Sequence, residues 1–292
     1  MSDWSIWVIP FLASTLRVST PLVFAALGGV VSERAGVINI ALEGMMLIGA
    51  FVGAVAAHSF QSLGMGLICG VLASVSIAAV YGFCALELES DQIVAGTAVN
   101  LLAAGLTPFA CKVLYGSTTA TPTLPMNLRF QSAPLIWAWL CVAILGWSLQ
   151  KLPVGLWLRF AGEHPEALET AGVRVRKVRW FAILLSGALA GLGGISLSLY
   201  LSSSFSRGMT AGRGFMALAA MIFGKWKPVP AAMACLLFGL AEAGQMRLQG
   251  VTLWGDRMVP VQFIQALPYL FTVVVLAGWV GRSQSPRALG RV

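Results

Sequence analysis

Apolar segments long enough to cross a bilayer recur along the whole 292-residue chain, and this recurrence restricts the fold more than any other feature. They cover about 9–31, 37–58, 63–86, 92–114, 134–150, 180–201, 228–246 and 261–280. A membrane helix needs about 20 apolar residues. Lipid offers no partner to a free backbone N–H or C=O, so a spanning segment must satisfy its own. Charged residues make up 10% of the chain, against roughly 25% in soluble domains. The expectation is an all-α, polytopic helical bundle forming one transmembrane domain, 1–292, embedded in the bilayer.

One apolar stretch does not fit the spanning length. Residues 214–224, GFMALAAMIFG, number only 11 and are bracketed by Gly212, Gly214 and Gly224. A broken or re-entrant helix near 211–224 is expected there, tolerable only where protein or water covers its free backbone. With 202–224 re-crossing in pieces, the count is about nine crossings with the N-terminus outside.

The formal net charge of +8 would suggest nucleic acid in a soluble protein, but in a membrane protein it reflects the positive-inside rule, and no nucleic-acid partner is expected. Twelve of the nineteen Lys and Arg fall in 31–36, 151–179, 225–227 and the basic tail 281–292. That side is assigned to the cytoplasm. The first ten residues lack a basic start and Arg17 interrupts the first apolar stretch, so the first span itself is expected to direct insertion. Pro10 and Pro21 are expected to mark that span's start and a kink.

The stretch 32–51, SERAGVINIALEGMMLIGAF, places polar groups inside an apolar run. Asn39 and Glu43 are four apart and would share one face of a helix. Asn100 is the lone amide in the fourth apolar run. Exposing such groups to hydrocarbon is costly, so all three are expected to face the protein interior. Two readings stay open. They line a passage, or they satisfy one another and the broken backbone near 211–214, with Arg213 as the candidate counter-charge of Glu43.

Between the fifth and sixth spans lies the one long polar segment, 151–179. Pro165 suits the first helical position, Glu166 and Glu169 suit the positive end of a helix dipole, and Gly172 supplies a stop. A short helix over 165–171 is expected. Gly187, Gly191 and Gly194 recur at about four-residue spacing in the following span and read as a packing face.

Several chemistries find no support. The five cysteines lie in apolar stretches without paired spacing, and His58 and His164 have no ligand motif around them, so no metal site is expected. No G-x-x-x-x-G-K-[ST] loop is present. Glu43 is the only carboxylate well inside a span, too few for a proton relay. A catalytic constellation is also missing, which argues against a membrane-embedded enzyme.

Three segments, SERAGVINIALEGMMLIGAF, GEHPEALETAGV and GRGFMALAAMIFGKWKP, resemble the signatures of permease subunits of ATP-binding cassette importers. The match is to the ribose, branched-chain amino acid and nucleoside branch, and within it to nucleoside-type, simple-sugar-like permeases. The resemblance implies a type II importer-like bundle in the inner membrane, without enzymatic activity of its own. It implies a cytoplasmic ATPase partner that uses ATP and Mg, an extracytoplasmic binding lipoprotein and a second permease subunit, more often a different one than a copy. It further implies that Glu163, His164, Pro165, Glu166, Ala167, Leu168 and Glu169 form the coupling helix that docks on the ATPase, and that the permease pair encloses a central pathway. Asn39, Glu43, Asn100 and Arg213 are the residues that the polar pattern itself offers as candidates for that pathway. Import of a monosaccharide or branched-chain amino acid remains the alternative within the family. A stand-alone channel or secondary carrier is the alternative outside it.

Overall fold

A computed structural model describes residues 3–248 and 284–290. Its regular elements are helices: α1 (Asp3–Arg34), α2 (Leu42–Ser59), α3 (Leu63–Gly82, extended by a π turn Phe83–Glu87), α4 (Gln92–Tyr115), α5 (Ala133–Lys151), α6 (Pro153–Glu163), α7 (Pro165–Thr170), α8 (Val175–Ser196, extended by a π turn Leu197–Leu201), α9 (Arg213–Phe223) and α10 (Pro228–Leu248). Seven of these, α1 to α5, α8 and α10, are long and apolar enough to cross a membrane, and α9 is the short apolar helix expected near 211–224. The span expected at 261–280 lies outside the described residues, as do Arg257, Arg282 and Arg291.

α2 and α8 form the interior, with 72% and 78% of their apolar windows buried, against 22–28% for α3, α4 and α5 at the periphery. Glycine explains how the inner helices approach. A Cβ added to Gly49 of α2 would sit 2.9 Å from Gly191 Cα of α8. One added to Gly194 would overlap the Met46 carbonyl, and one added to Gly187 would overlap Ala78 of α3. Lipid tails are as apolar as leucine side chains, so helix association in a membrane rests on such close backbone packing.

Three boundaries differ from expectation. α1 begins at Asp3, so Pro10 lies inside the helix rather than at its start. α2 begins at Leu42 rather than 37, because residues 35–41 form a largely buried connector of turns and irregular backbone. α8 begins at Val175 rather than 180, and most of 151–179 is helical rather than loop.

The two ends of α8 fix the two ends of the bundle. Near its start, Arg179 Nε donates to Ala35 O (3.3 Å), Arg34 Nε donates to Trp226 O (2.8 Å), and the tail returns as Ala288 N–H donates to Gly162 O (2.8 Å). At its far end, Phe130 N–H donates to Leu199 O (2.8 Å), while Leu124 N–H donates to Ser203 O (2.7 Å) and Arg207 N–H to Thr119 O (2.7 Å). The basic segments 31–36, 151–179, 225–227 and the described part of the tail therefore share one end.

Candidate functional site

Two regions hold the residues singled out from the sequence. The first is a polar seam inside the bundle, where two stretches of backbone are not helical. The connector 35–41 needs partners for its peptide groups, and neighbouring helices provide them. Gln92 Oε1 accepts from Ile38 N (2.8 Å), Tyr81 Oη donates to Ile38 O, and Asn100 Nδ2 donates to Ile40 O (2.9 Å). Asn100 Oδ1 also accepts from Gly44 N (2.8 Å) in the first turn of α2. One amide thereby serves both the connector and the helix that follows it.

The second break lies before α9. Ala211 and Gly212 both take left-handed backbone angles (φ 46° and 80°) to turn into the helix. The Glu43 carboxylate accepts from Gly212 N (2.9 Å) and Gly214 N (2.6 Å), the orphan donors at the start of α9. A carboxylate there meets the positive end of the helix dipole as well. Gly214 is required by proximity, since a Cβ would lie 2.6 Å from Glu43 Cα.

These contacts correct two expectations. Asn39 and Glu43 do not share a helical face, because Asn39 lies in the connector and Glu43 in the first turn of α2. Asn39 instead donates from Nδ2 to Ser186 Oγ on α8 (2.8 Å), while its buried Oδ1 has no partner among the described residues. Arg213 does not pair with Glu43 either. Its guanidinium forms an ion pair with Glu242 of α10 and donates to Met209 O (3.0 Å). The seam brings Asn100, Glu43 and the start of α9 together. Arg213 lines a cleft of about 420 Å³, with Ser14, Ser202 and Ser206 on its walls.

Sequence reasoning missed Gln92, Tyr81, Ser74 and Ser186. Ser74 Oγ bonds Met45 O (3.0 Å) and Gly187 O (2.7 Å) across three helices. The signal was present as isolated polar groups in apolar runs, but naming their partners required knowing that residues 35–41 are unwound.

The second region is the inner end. α7 starts at Pro165 and stops at Gly172 (φ 79°), with Gly172 N–H on Glu169 O (2.9 Å) and Val173 N–H on Leu168 O (3.1 Å). Leu168 is its single buried anchor, whereas His164, Glu166, Ala167 and Glu169 are exposed and Glu163 and Pro165 half-buried. A cleft of about 550 Å³ separates this helix from Arg179 and Arg287. At its root, Gly36 takes φ 91° and its carbonyl accepts from Gly290 N (2.9 Å). The approach of α6 is equally close, since a Cβ on Gly162 would overlap the Arg34 carbonyl. α6, the α1–α2 connector and the tail thus meet at one point directly behind α7.

The connection between α9 and α1 lies at the same end. Trp226 Nε1 donates to the buried Glu33 carboxylate (2.6 Å). Lys225 and Trp226 both hold left-handed backbone angles (φ 52° and 54°) to make that turn.

With this geometry in hand, the comparisons are specific. The family described as "Branched-chain amino acid transport system / permease component" matches residues 11–277. The nucleoside ABC transporter permease NupC of Lactococcus lactis subsp. cremoris is 36% identical, over 96% of this chain and 95% of its own. The guanosine ABC transporter permease NupQ of Bacillus subtilis is 36% identical over 95% and 94%. A putative glucose ABC transporter permease of Haloferax volcanii is 35% identical over 94% and 93%. A solved structure, an inward-facing conformation of a putative metal-chelate type ABC transporter, superposes with a TM-score of 0.50 at 19% identity, covering 94% of this chain and 88% of that one. Its similarity concerns the fold. A family match over nearly the whole chain, on a bundle with seven membrane-length apolar helices among the described residues, leads to one conclusion: this chain belongs to the branched-chain amino acid transport system permease-component family and is a multi-pass permease subunit of an ATP-binding cassette transporter in the cell membrane.

Proposed function

We propose that this subunit imports nucleosides by alternating access, driven by a separate cytoplasmic ATPase that binds the ATP and Mg. The observation that carries this reading is the position of α7. It is a short helix held by one buried side chain, with an acidic outer face, directly against the junction of α6, the α1–α2 connector and the tail. A push on α7 reaches that junction through α6, and the connector leads to the Asn100- and Glu43-bonded backbone. Glu163, His164, Pro165, Glu166, Ala167, Leu168 and Glu169 are the ATPase contact in this mechanism.

Asn39, Glu43, Asn100 and Arg213 border the pathway as its frame. Their bonds hold broken backbone in place, and the serine-lined cleft beside Arg213 offers hydroxyl partners to a neutral, hydroxyl-rich solute. Weak, sequential contacts suit a path from which the cargo must leave. A second, different permease subunit completes the pathway, and an extracytoplasmic lipoprotein delivers the solute. Nucleoside cargo is supported by the names of the Lactococcus and Bacillus relatives, and monosaccharide cargo is the second reading, favoured by the Haloferax relative at 35% identity.

The test is ATP-dependent uptake into proteoliposomes holding the permease pair, its ATPase and its lipoprotein. Saturable uptake of labelled guanosine or adenosine, without glucose uptake, is expected. Glucose uptake without nucleoside uptake would establish the second reading. Uptake that continues without ATP would favour a channel or carrier.

A further inference from the structure

α6 lies across the ends of two spans. At its start, a Cβ on Gly155 would overlap Ser148 O in the last turn of α5, and at its end Gly162 packs equally closely on Arg34 at the end of α1. Its buried face is Gly155, Leu158, Ala161 and Gly162, turned to the bundle. The opposite face carries Val154, Leu156, Trp157 and Phe160, all exposed. A helix pinned at both ends to the inner ends of spans, with one face apolar and open, has the form of an interfacial helix. Beside that face is a cleft of about 370 Å³ lined by Leu156, Arg159, Phe160, Glu163, His164 and Arg287. Arg159 comes from α6 and Arg287 from the tail, and neither forms an ion pair or hydrogen bond among the described residues. Glu163 is the one acid on its walls.

Two unpaired guanidiniums at the inner interface, next to an open apolar helix face, match a molecule that is anionic at one end and apolar along its length. We propose that this cleft binds the headgroup of an anionic phospholipid of the cytoplasmic leaflet, with Arg159 and Arg287 on the phosphate and an acyl chain along Leu156 and Phe160. Because Arg287 sits next to Ala288, which bonds Gly162, the lipid would bridge the tail to α6 immediately behind α7. This site stands independently of which solute is carried, and because Glu163 and His164 on its walls also belong to the ATPase contact proposed above, it is a site of the subunit free of its ATPase.

The test uses the full-length subunit in nanodiscs of mixed phosphatidylcholine and phosphatidylglycerol, with retained lipids counted by native mass spectrometry after extraction. Enrichment of phosphatidylglycerol is expected on the wild type, falling about fivefold for each charge removed in Arg159→Gln/Arg287→Gln. Arg159→Lys/Arg287→Lys should keep most of the enrichment, which separates charge loss from misfolding. The control Arg174→Gln/Lys177→Gln removes equal charge from exposed positions nearby and should change little. No enrichment on the wild type, or equal loss in the control, would overturn the site. Displacement of the lipid by soluble glycerol phosphate would also overturn it, by identifying a free phosphate ester as the ligand.

Discussion

The Glu43 carboxylate lies 2.6 Å from the backbone nitrogen of Gly214, 171 residues along the chain. One side chain in the first turn of α2 thereby satisfies the opening donors of α9, the helix too short to cross a bilayer. This bond explains how broken backbone survives inside an apolar bundle.

Glu43→Ala should leave the N–H groups of Gly212 and Gly214 without their partner and destabilise the subunit by about 2–5 kcal/mol. Glu43→Gln keeps one acceptor oxygen but loses the charge at the helix start, so about half that loss is expected. Thermal unfolding of the purified subunit in detergent measures both. Equal melting temperatures for wild type and Glu43→Ala would contradict the capping role.

Gly194 lies against the Met46 carbonyl, whereas nothing stands within 4 Å of a Cβ built on Gly105. Gly194→Ala should therefore force α8 from α2 and sharply reduce the yield of folded subunit. Gly105→Ala, at a helical position open to its surroundings, should be neutral or gain up to about 1 kcal/mol. Yield and monodispersity on gel filtration compare the two directly.

The bundle was largely legible in the sequence because bilayer crossing demands long apolar runs, and α2 to α5 end within a few residues of where such runs end. The glycines of α8 were legible for the same reason: their spacing marks a face. The short helix at 165–170 could be read from Pro165, the acids after it and Gly172. The unwound connector could not be read, because its residues Val37, Ile38, Ile40 and Ala41 are as apolar as a helix would require. What holds it open is side chains from α3 and α4, Tyr81, Gln92 and Asn100, that meet it only in three dimensions. The Arg213–Glu242 pair was hidden likewise, since two acids compete for one cation and only the fold selects the partner. α6 escaped notice because its apolar face is too short to read as a span and its basic residues look like a solvated loop.

Trp226 joins the end of α9 to α1 through the Glu33 carboxylate. Trp226→Phe preserves most of the ring but removes the N–H donor, leaving a buried carboxylate with one partner fewer. A loss of about 1–3 kcal/mol is expected in thermal unfolding, together with faster proteolysis in the 225–227 turn. A variant as stable and as protease-resistant as the wild type would show that this link does not hold α9 in place.

The outer face of α7 carries Glu166 and Glu169, and the one buried residue of the helix is Leu168. The most direct measurement is co-purification of the ATPase with Glu166→Lys/Glu169→Lys permease, together with ATP-driven uptake by the same complex. The expected result is normal membrane insertion, loss of the ATPase from the purified complex and a fall in uptake of about tenfold or more, since charge reversal at a docking contact costs several kcal/mol. Full ATPase retention with unchanged uptake would contradict α7 as the coupling element.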